Sequence, residues 1–175
     1  MTVLLQSFAH SSLFLLFLTL LFTKMSSAWT RIATFSLSPS TTLSIIRGSV
    51  VDFAPSSPKA AIVNAANPAC LGGGGVDGAI TTAGGPNLHK HRMALPLLPG
   101  GVRCPTGHAI LTGPGDYGDL HVPFVIHAVG PCYFDYDKLS EGDALLASAY
   151  RESLEQAHYA NLEQVAFSLL SAGVY

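Results

Sequence analysis

The chain has 175 residues, a length that favours a single domain around one hydrophobic core. Nine Lys and Arg against eleven Asp and Glu leave a formal charge of −2, and no basic stripe breaks the sequence, so a nucleic-acid-binding class finds no support. The three cysteines, Cys70, Cys104 and Cys132, are an odd number without a C-x-x-C pair, which argues for reduced thiols and against a disulfide framework.

Residues 1–28 read as separate from the domain. Residues 13–22 are apolar except for Thr19, too short a run to span a bilayer, and Ser26-Ser27-Ala28 behind them resembles a signal cleavage site. No Lys or Arg precedes that run. The segment up to Val51 has no acid and much Ser and Thr, which also suits an organelle transit peptide. A third alternative is that Met25 is the true start and the upstream segment a gene-model extension. The compartment follows the choice: cytoplasm or nucleus from Met25, an organelle or the secretory pathway if residues 1–28 are a targeting segment. Residues 29–42 read as a linker, and the domain is expected over residues 43–175.

Leu43-Ser44-Ile45-Ile46 predicts the first core strand, ended by Arg47-Gly48, and residues 54–59, with Pro55 and Pro58, predict a loop. Residues 61–63 predict the central strand, apolar at consecutive positions as a parallel strand covered on both faces should be. Two asparagines follow, Asn64 and Asn67, then Gly72-Gly73-Gly74-Gly75 and a helix over residues 76–83 stopped by Gly84-Gly85-Pro86. A second helix is expected over residues 87–95, with Asn87 as its cap. This order of strand, glycines and helix start suits a phosphate. Glycines let the backbone come close, and the helix N-terminus offers unpaired N–H groups and the positive end of its dipole.

Asp77 in that first turn suits the dipole but would repel a bound phosphate. Asn64 reads as a structural amide bonding neighbouring backbone, and Asn67 as a turn residue before Pro68 or a ligand contact. Residues 73–78 also satisfy G-x-G-x-x-G. Residues 67–71 nevertheless separate them from the strand, the next acid after Asp77 is Asp116, and no Gly-Lys-Ser/Thr follows, so neither a dinucleotide fingerprint nor a Walker loop fits.

Beyond the Pro- and Gly-rich residues 96–101, strands are expected over residues 109–112 and 124–128. His127 sits on the second of these, where a histidine reads more readily as a satisfied core group than as a base. His108, His121 and His127 lack ligand spacing, and His89 and His91 do not share a helix face, so no metal is expected. Tyr133, Phe134 and Tyr136 lie in a loop that either borders the ligand or covers the core. A helix is expected over residues 143–159, with Asp143 as cap and Leu145, Ala149, Leu154 and Ala157 as its apolar face. A strand over residues 165–170 then delivers Ser171-Ala172-Gly173-Val174-Tyr175.

Val63-Asn64-Ala65-Ala66-Asn67, followed by Leu71-Gly72-Gly73-Gly74-Gly75-Val76-Asp77-Gly78-Ala79-Ile80, resembles the signature of the macrodomain family. Ala128-Val129-Gly130-Pro131 and Ser171-Ala172-Gly173-Val174-Tyr175 extend the resemblance over about residues 43–175. It implies an α/β fold, a three-layer α/β/α sandwich with a mixed, mostly parallel sheet and a ligand site at the carboxyl ends of the strands. It implies ADP-ribose, or an ADP-ribosylated protein, as partner, a monomer and no cofactor; the charge balance adds the expectation of no nucleic-acid patch, and the short apolar run that of no stable membrane span.

The Gly-Gly-Gly-Val-Asp version resembles the hydrolytic branch, which removes mono-ADP-ribose from acidic side chains and deacetylates O-acetyl-ADP-ribose. Asp77 would then be the base, or would orient a water, and Asn67 would fix the ribose hydroxyls. The resemblance also assigns ligand contacts to Ser49 and Val50, where the family has Gly-Asp-Ile and its Asp accepts from the adenine amino group. Further contacts fall to Asn64, Ala65, Ala66, Gly72, Gly73, Gly74, Gly75 and Val76, and to Ser171, Ala172, Gly173, Val174 and Tyr175 as a second phosphate loop. The alternatives are a reader that binds ADP-ribose without cleaving it and a non-functional fragment. The latter stays open because the family continues past the position of Tyr175 with another helix, at least one more core strand and usually a final helix.

Overall fold

The computed structural model describes residues 2–7 and 29–173. The apolar run 13–22, Met25, Val174 and Tyr175 lie outside the described residues. The strands are β1 (Thr2–Ser7), β2 (Thr30–Ser38), β3 (Thr41–Arg47), β4 (Ala60–Ala65), β5 (Ala109–Thr112), β6 (Phe124–Ala128) and β7 (Gln164–Phe167). They form one sheet in the order β2-β3-β1-β7-β4-β6-β5. Only β4 is parallel to its neighbours, β6 and β7, and every other pair is antiparallel. Followed across the sheet, β3, β7, β4 and β6 therefore point one way and β1, β2 and β5 the other. β4 is the strand expected to be covered on both faces, and its first five residues are buried.

Period-two alternation along the strands divides the core. Ala60 and Ile62 of β4 and Val125 of β6 turn to one face, where they meet Ile80 and Leu88 of α1 (Gly75–Met93). Ala61, Val63 and Ile126 turn to the other, against Ala149 and Ala157 of α2 (Leu139–Tyr159). The result is the expected three-layer α/β/α sandwich. Among the described residues no helix is long and apolar enough to cross a membrane.

Several boundaries differ from the sequence reading. Residues 1–28 were expected to stand apart, yet the backbone of Thr2–Ser7 pairs antiparallel with both β3 and β7. Both neighbouring strands need partners for their inward-facing N–H and C=O groups, and a composition argument does not register that demand. Residues 29–42, expected as a linker, contain β2 and the start of β3, a hairpin whose Thr30, Ile32, Thr34 and Phe35 are strand formers hidden in a Ser/Thr-rich composition. Trp29 stacks on Phe53 at 5.3 Å, and its indole N–H donates to the Ser49 carbonyl at 3.1 Å.

Gly85, at φ 59 and ψ −159, breaks α1 into two helical segments, as Gly84-Gly85-Pro86 predicts. Asn87 does not cap the second segment, because that segment resumes at Pro86 directly after the non-helical Gly85 and Asn87 is already inside it; its side-chain amide donates to the Asp116 carbonyl at 3.0 Å. Nor does Asp143 cap α2, which begins four residues earlier at Leu139; the Asp143 carboxylate accepts from the Tyr133 hydroxyl at 2.8 Å.

Candidate functional site

The strands that share a direction deliver their carboxyl ends to one place. Gly48, Ser49 and Val50 after β3, Ala65, Ala66 and Asn67 around the end of β4, and Ser168 and Leu169 after β7 line a cleft of about 710 Å³. Gly73, Gly74, Gly75, Val76, Asp77 and Ala79 close it from the start of α1, and Ala172 and Gly173 from the last described loop. An open α/β sheet places ligands at this end of its strands.

Of the expected contacts, Ser49, Val50, Ala65, Ala66, Asn67, Gly73, Gly74, Gly75, Val76, Asp77, Ala172 and Gly173 border this cleft. Asn64, Gly72 and Ser171 do not line it: Asn64 is buried behind it, and the Ser171 hydroxyl donates to the Pro131 carbonyl at 2.8 Å. Ser49 caps a short 3₁₀ turn, its hydroxyl accepting from the Val51 N–H at 3.3 Å. Asp52 lines a neighbouring depression with Asp119 and His121. Tyr133, Phe134 and Tyr136 do not border the cleft, and Phe134 is almost fully exposed.

The loop from Asn67 to the glycines is braced by its own amide. Asn67 Nδ2 donates to the Gly72 carbonyl at 3.0 Å, and Asn67 Oδ1 accepts from the Cys70 N–H at 3.2 Å. The N–H groups of Arg103 and Cys104 both reach the Pro68 carbonyl, at 2.8 and 3.1 Å. Gly72 adopts φ +114, which only glycine takes without strain. A Cβ at Gly73 would lie 3.2 Å from Asn67 Nδ2 and 3.3 Å from Asp77 Oδ2, so these two polar atoms converge where glycine leaves no side chain between them.

Beneath the loop runs a buried polar row. Strand parity turns Asn64, His127 and Thr112 to the α1 face together with Ile62 and Val125. Asn64 Nδ2 donates to Asp77 Oδ1 at 2.8 Å and lies 3.2 Å from His127 Nδ1; His127 Nε2 lies 3.0 Å from Thr112 Oγ1. With Asn64 donating to Nδ1, the imidazole proton belongs on Nε2, facing the threonine. Arg92, entirely buried, comes from the second segment of α1, and its guanidinium lies 3.0 Å from Asp77 Oδ1. Its other terminal nitrogen donates to Thr81 Oγ1 at 2.7 Å, and that hydroxyl donates to the Asp77 carbonyl at 2.7 Å. Asp77 Oδ2 keeps no hydrogen-bond partner among the described residues.

The sequence reading does not single out Arg92 or Thr81. The one available signal is spacing: Arg92 follows the buried Leu88 by four residues, which puts it on the inward stripe of its helix. Burial lowers the Arg92 pKa, while the Asp77 charge opposes that shift. Cys70 and Cys104 are buried in the same region as free thiols, and their mutual hydrogen bond together with burial pushes the Cys104 thiol upward. Among the described residues no group of His, Cys, Asp and Glu is arranged to hold a metal ion.

Burial, with a smaller contribution from the Arg92 charge, holds the His127 pKa well below the ordinary histidine value. The native imidazole therefore refuses a proton that the unfolded chain takes up. Stability is expected to decline as pH falls below about 6.5, by up to about 1.4 kcal/mol per pH unit from this group, until the native pKa is reached. Urea unfolding near pH 7 and near pH 5 should show the decline in wild type and a shallower one in His127→Gln; equal declines would overturn it.

Residues 63–175 match the sequence model of the Macro domain. A macro domain-containing protein of Caldanaerobacter subterraneus is 45% identical over 133 residues, covering 76% of this chain and 70% of that protein. An O-acetyl-ADP-ribose deacetylase of Klebsiella pneumoniae is 46% identical over 114 residues, 65% of this chain and 61% of that enzyme. The chain thus spans between 61% and 70% of the length of these two relatives. The solved structure of an Oceanobacillus iheyensis macrodomain with ADP superposes with a TM-score of 0.62 at 33% identity, over 85% of this chain and 72% of that one.

Proposed function

The chain belongs to the Macro domain family, and from that premise we propose that its cleft binds ADP-ribose and hydrolyses the ester joining that ribose to an acyl group. The diphosphate would rest on the N–H groups of Gly73, Gly74, Gly75 and Val76 at the start of α1, with the loop carrying Ala172 and Gly173 on its other side. The adenine end would lie toward Ser49 and Val50, where the Ser49 hydroxyl is the neutral acceptor.

The observation that carries the hydrolytic reading is the state of the Asp77 carboxylate. One oxygen is fixed by Asn64 and Arg92, and the other has no partner among the described residues and converges with Asn67 Nδ2. A fixed carboxylate with one free lone-pair oxygen is the arrangement a general base needs. In the proposed step Asp77 Oδ2 takes a proton from water as its oxygen adds to the acyl carbonyl carbon. The ester bond then breaks, and the departing ribose oxygen receives that proton. Asn67, whose Nδ2 has a second hydrogen to offer, would hold a ribose hydroxyl.

The hydrolytic name of the Klebsiella relative supports this reading. The Arg92 ion pair favours the rival, a reader that binds without cleaving, because it ties one Asp77 oxygen to a structural partner. Calorimetric titration with ADP-ribose, followed by mixing with O-acetyl-ADP-ribose and assay of released acetate, separates the two. Binding with acetate release is expected. Binding without release supports the reader, and absence of binding removes both.

A further inference from the structure

We propose that Arg92 determines the charge selectivity of the cleft: it is the buried counter-charge that allows Asp77 to lie beneath a diphosphate. The inference rests on the ADP-ribose reading above. A carboxylate in the first turn of α1 sits where a bound anion would feel it, and two like charges that close, partly shielded from water, disfavour each other strongly. Position 77 is therefore a poor place for an acid unless something neutralises it.

The neutralising group comes from fifteen residues farther along the same helix. The break at Gly85 re-aims the second segment, and Leu88 and Arg92, one turn apart, both point inward. The Arg92 guanidinium has no exposure to solvent and meets Asp77 Oδ1 at 3.0 Å. It is anchored from the other side by Thr81, whose hydroxyl is itself fixed to the Asp77 carbonyl. It also lies directly under the glycine loop, with a terminal nitrogen 3.8 Å from where a Gly72 side chain would begin.

Arg103, also buried, donates to the Ala69 carbonyl at 3.3 Å and so backs the preceding part of the same loop. Two cations and one carboxylate thus stand behind the loop, leaving a net positive charge under the proposed diphosphate seat. Phosphate recognition here combines backbone N–H groups in front with buried guanidinium charge behind. Arg92 is a positioning residue in this account: it acts through Asp77 and the loop and touches no ligand atom.

The test is calorimetric titration of the full chain with two probes, ADP-ribose and adenosine, the second lacking the phosphates and titrated at high concentration. Arg92→Met should weaken ADP-ribose binding by about tenfold or more while changing adenosine binding by less than about threefold. Arg92→Lys should restore ADP-ribose binding to within about threefold, and Asp77→Asn combined with Arg92→Met, which removes both charges, should do the same. A merely structural arginine would weaken both probes together, and that result overturns the proposal. So does Arg92→Met that binds ADP-ribose as wild type does.

If Arg92→Met alone does not fold, the comparison moves to the background without the acid. Asp77→Asn should then bind ADP-ribose at least about threefold more tightly than the double variant, and equal affinities overturn the proposal. Wild-type protein that takes no ADP-ribose removes the reading of the cleft itself. Wild-type protein that binds while the variants behave as wild type removes only the role of Arg92.

Discussion

Asp77→Asn is expected to lower acetate release from O-acetyl-ADP-ribose by about 10² to 10⁴, the range a positioned general base contributes. The substitution keeps the shape of the side chain and leaves an oxygen for Asn64 to donate to, so the packing around α1 should survive. It removes the negative charge that makes Oδ2 basic. The same variant should still bind ADP-ribose, since the N–H groups of the glycine loop belong to the backbone. Retained binding with lost turnover is the signature of a group acting in the transition state rather than in ligand affinity. Turnover within about threefold of wild type would sink Asp77 as base and make it a structural acid held for Arg92. A wild-type protein that binds and never turns over would make the chain a reader.

How much of this was legible beforehand depends on whether the cause was local. The run of small and apolar residues in β4, the glycines and the helix start are local signals, and they locate the cleft, because a strand end, a glycine loop and a helix N-terminus are adjacent in sequence and in space. Gly85 and Pro86 likewise announce the break in α1. Thr2–Ser7 and Thr30–Ser38 were not legible as parts of the sheet, because their assignment depends on which backbone edges need partners elsewhere.

Arg92 is the other kind of miss. A charged residue on an exposed-looking stretch of Asn87-Leu88-His89-Lys90-His91-Arg92 reads as solvated surface, and three of its polar neighbours, His89, Lys90 and Asn87, are indeed not buried. Its burial makes sense only once the helix break turns it toward Asp77. The carboxylate that looked anomalous in sequence and the arginine that looked ordinary explain each other in three dimensions. Asn67 lies between these cases: both its turn role and its place on the cleft were legible, and its amide braces the loop while it borders the cleft.

Asn64→Ala is expected to cost about 3 kcal/mol of stability, because it strands two buried groups at once. Asn64 has no exposure to solvent, and its Nδ2 is shared between Asp77 Oδ1 and His127 Nδ1. Removing the amide leaves an imidazole nitrogen without its donor and a carboxylate oxygen with Arg92 alone, in a region where burial already keeps His127 uncharged. An unsatisfied buried polar group costs about 1–3 kcal/mol, and more when charged. For a domain of this size the loss corresponds to a fall in Tm of about 6–12 °C, readable by calorimetry or circular dichroism.

Ser49→Ala offers the contrast. It removes an exposed cap bond to Val51 and should cost about 1 kcal/mol or less. The two variants should therefore part company in a second measurement. Asn64 is behind the cleft and not in it, so Asn64→Ala, studied at a temperature where it remains folded, should bind ADP-ribose within about threefold of wild type. Ser49→Ala should keep its stability and lose affinity. If instead Asn64→Ala were stable and failed to bind, the asparagine would be a ligand contact, as the family resemblance suggested, and the buried polar row would be no part of what holds the site in shape.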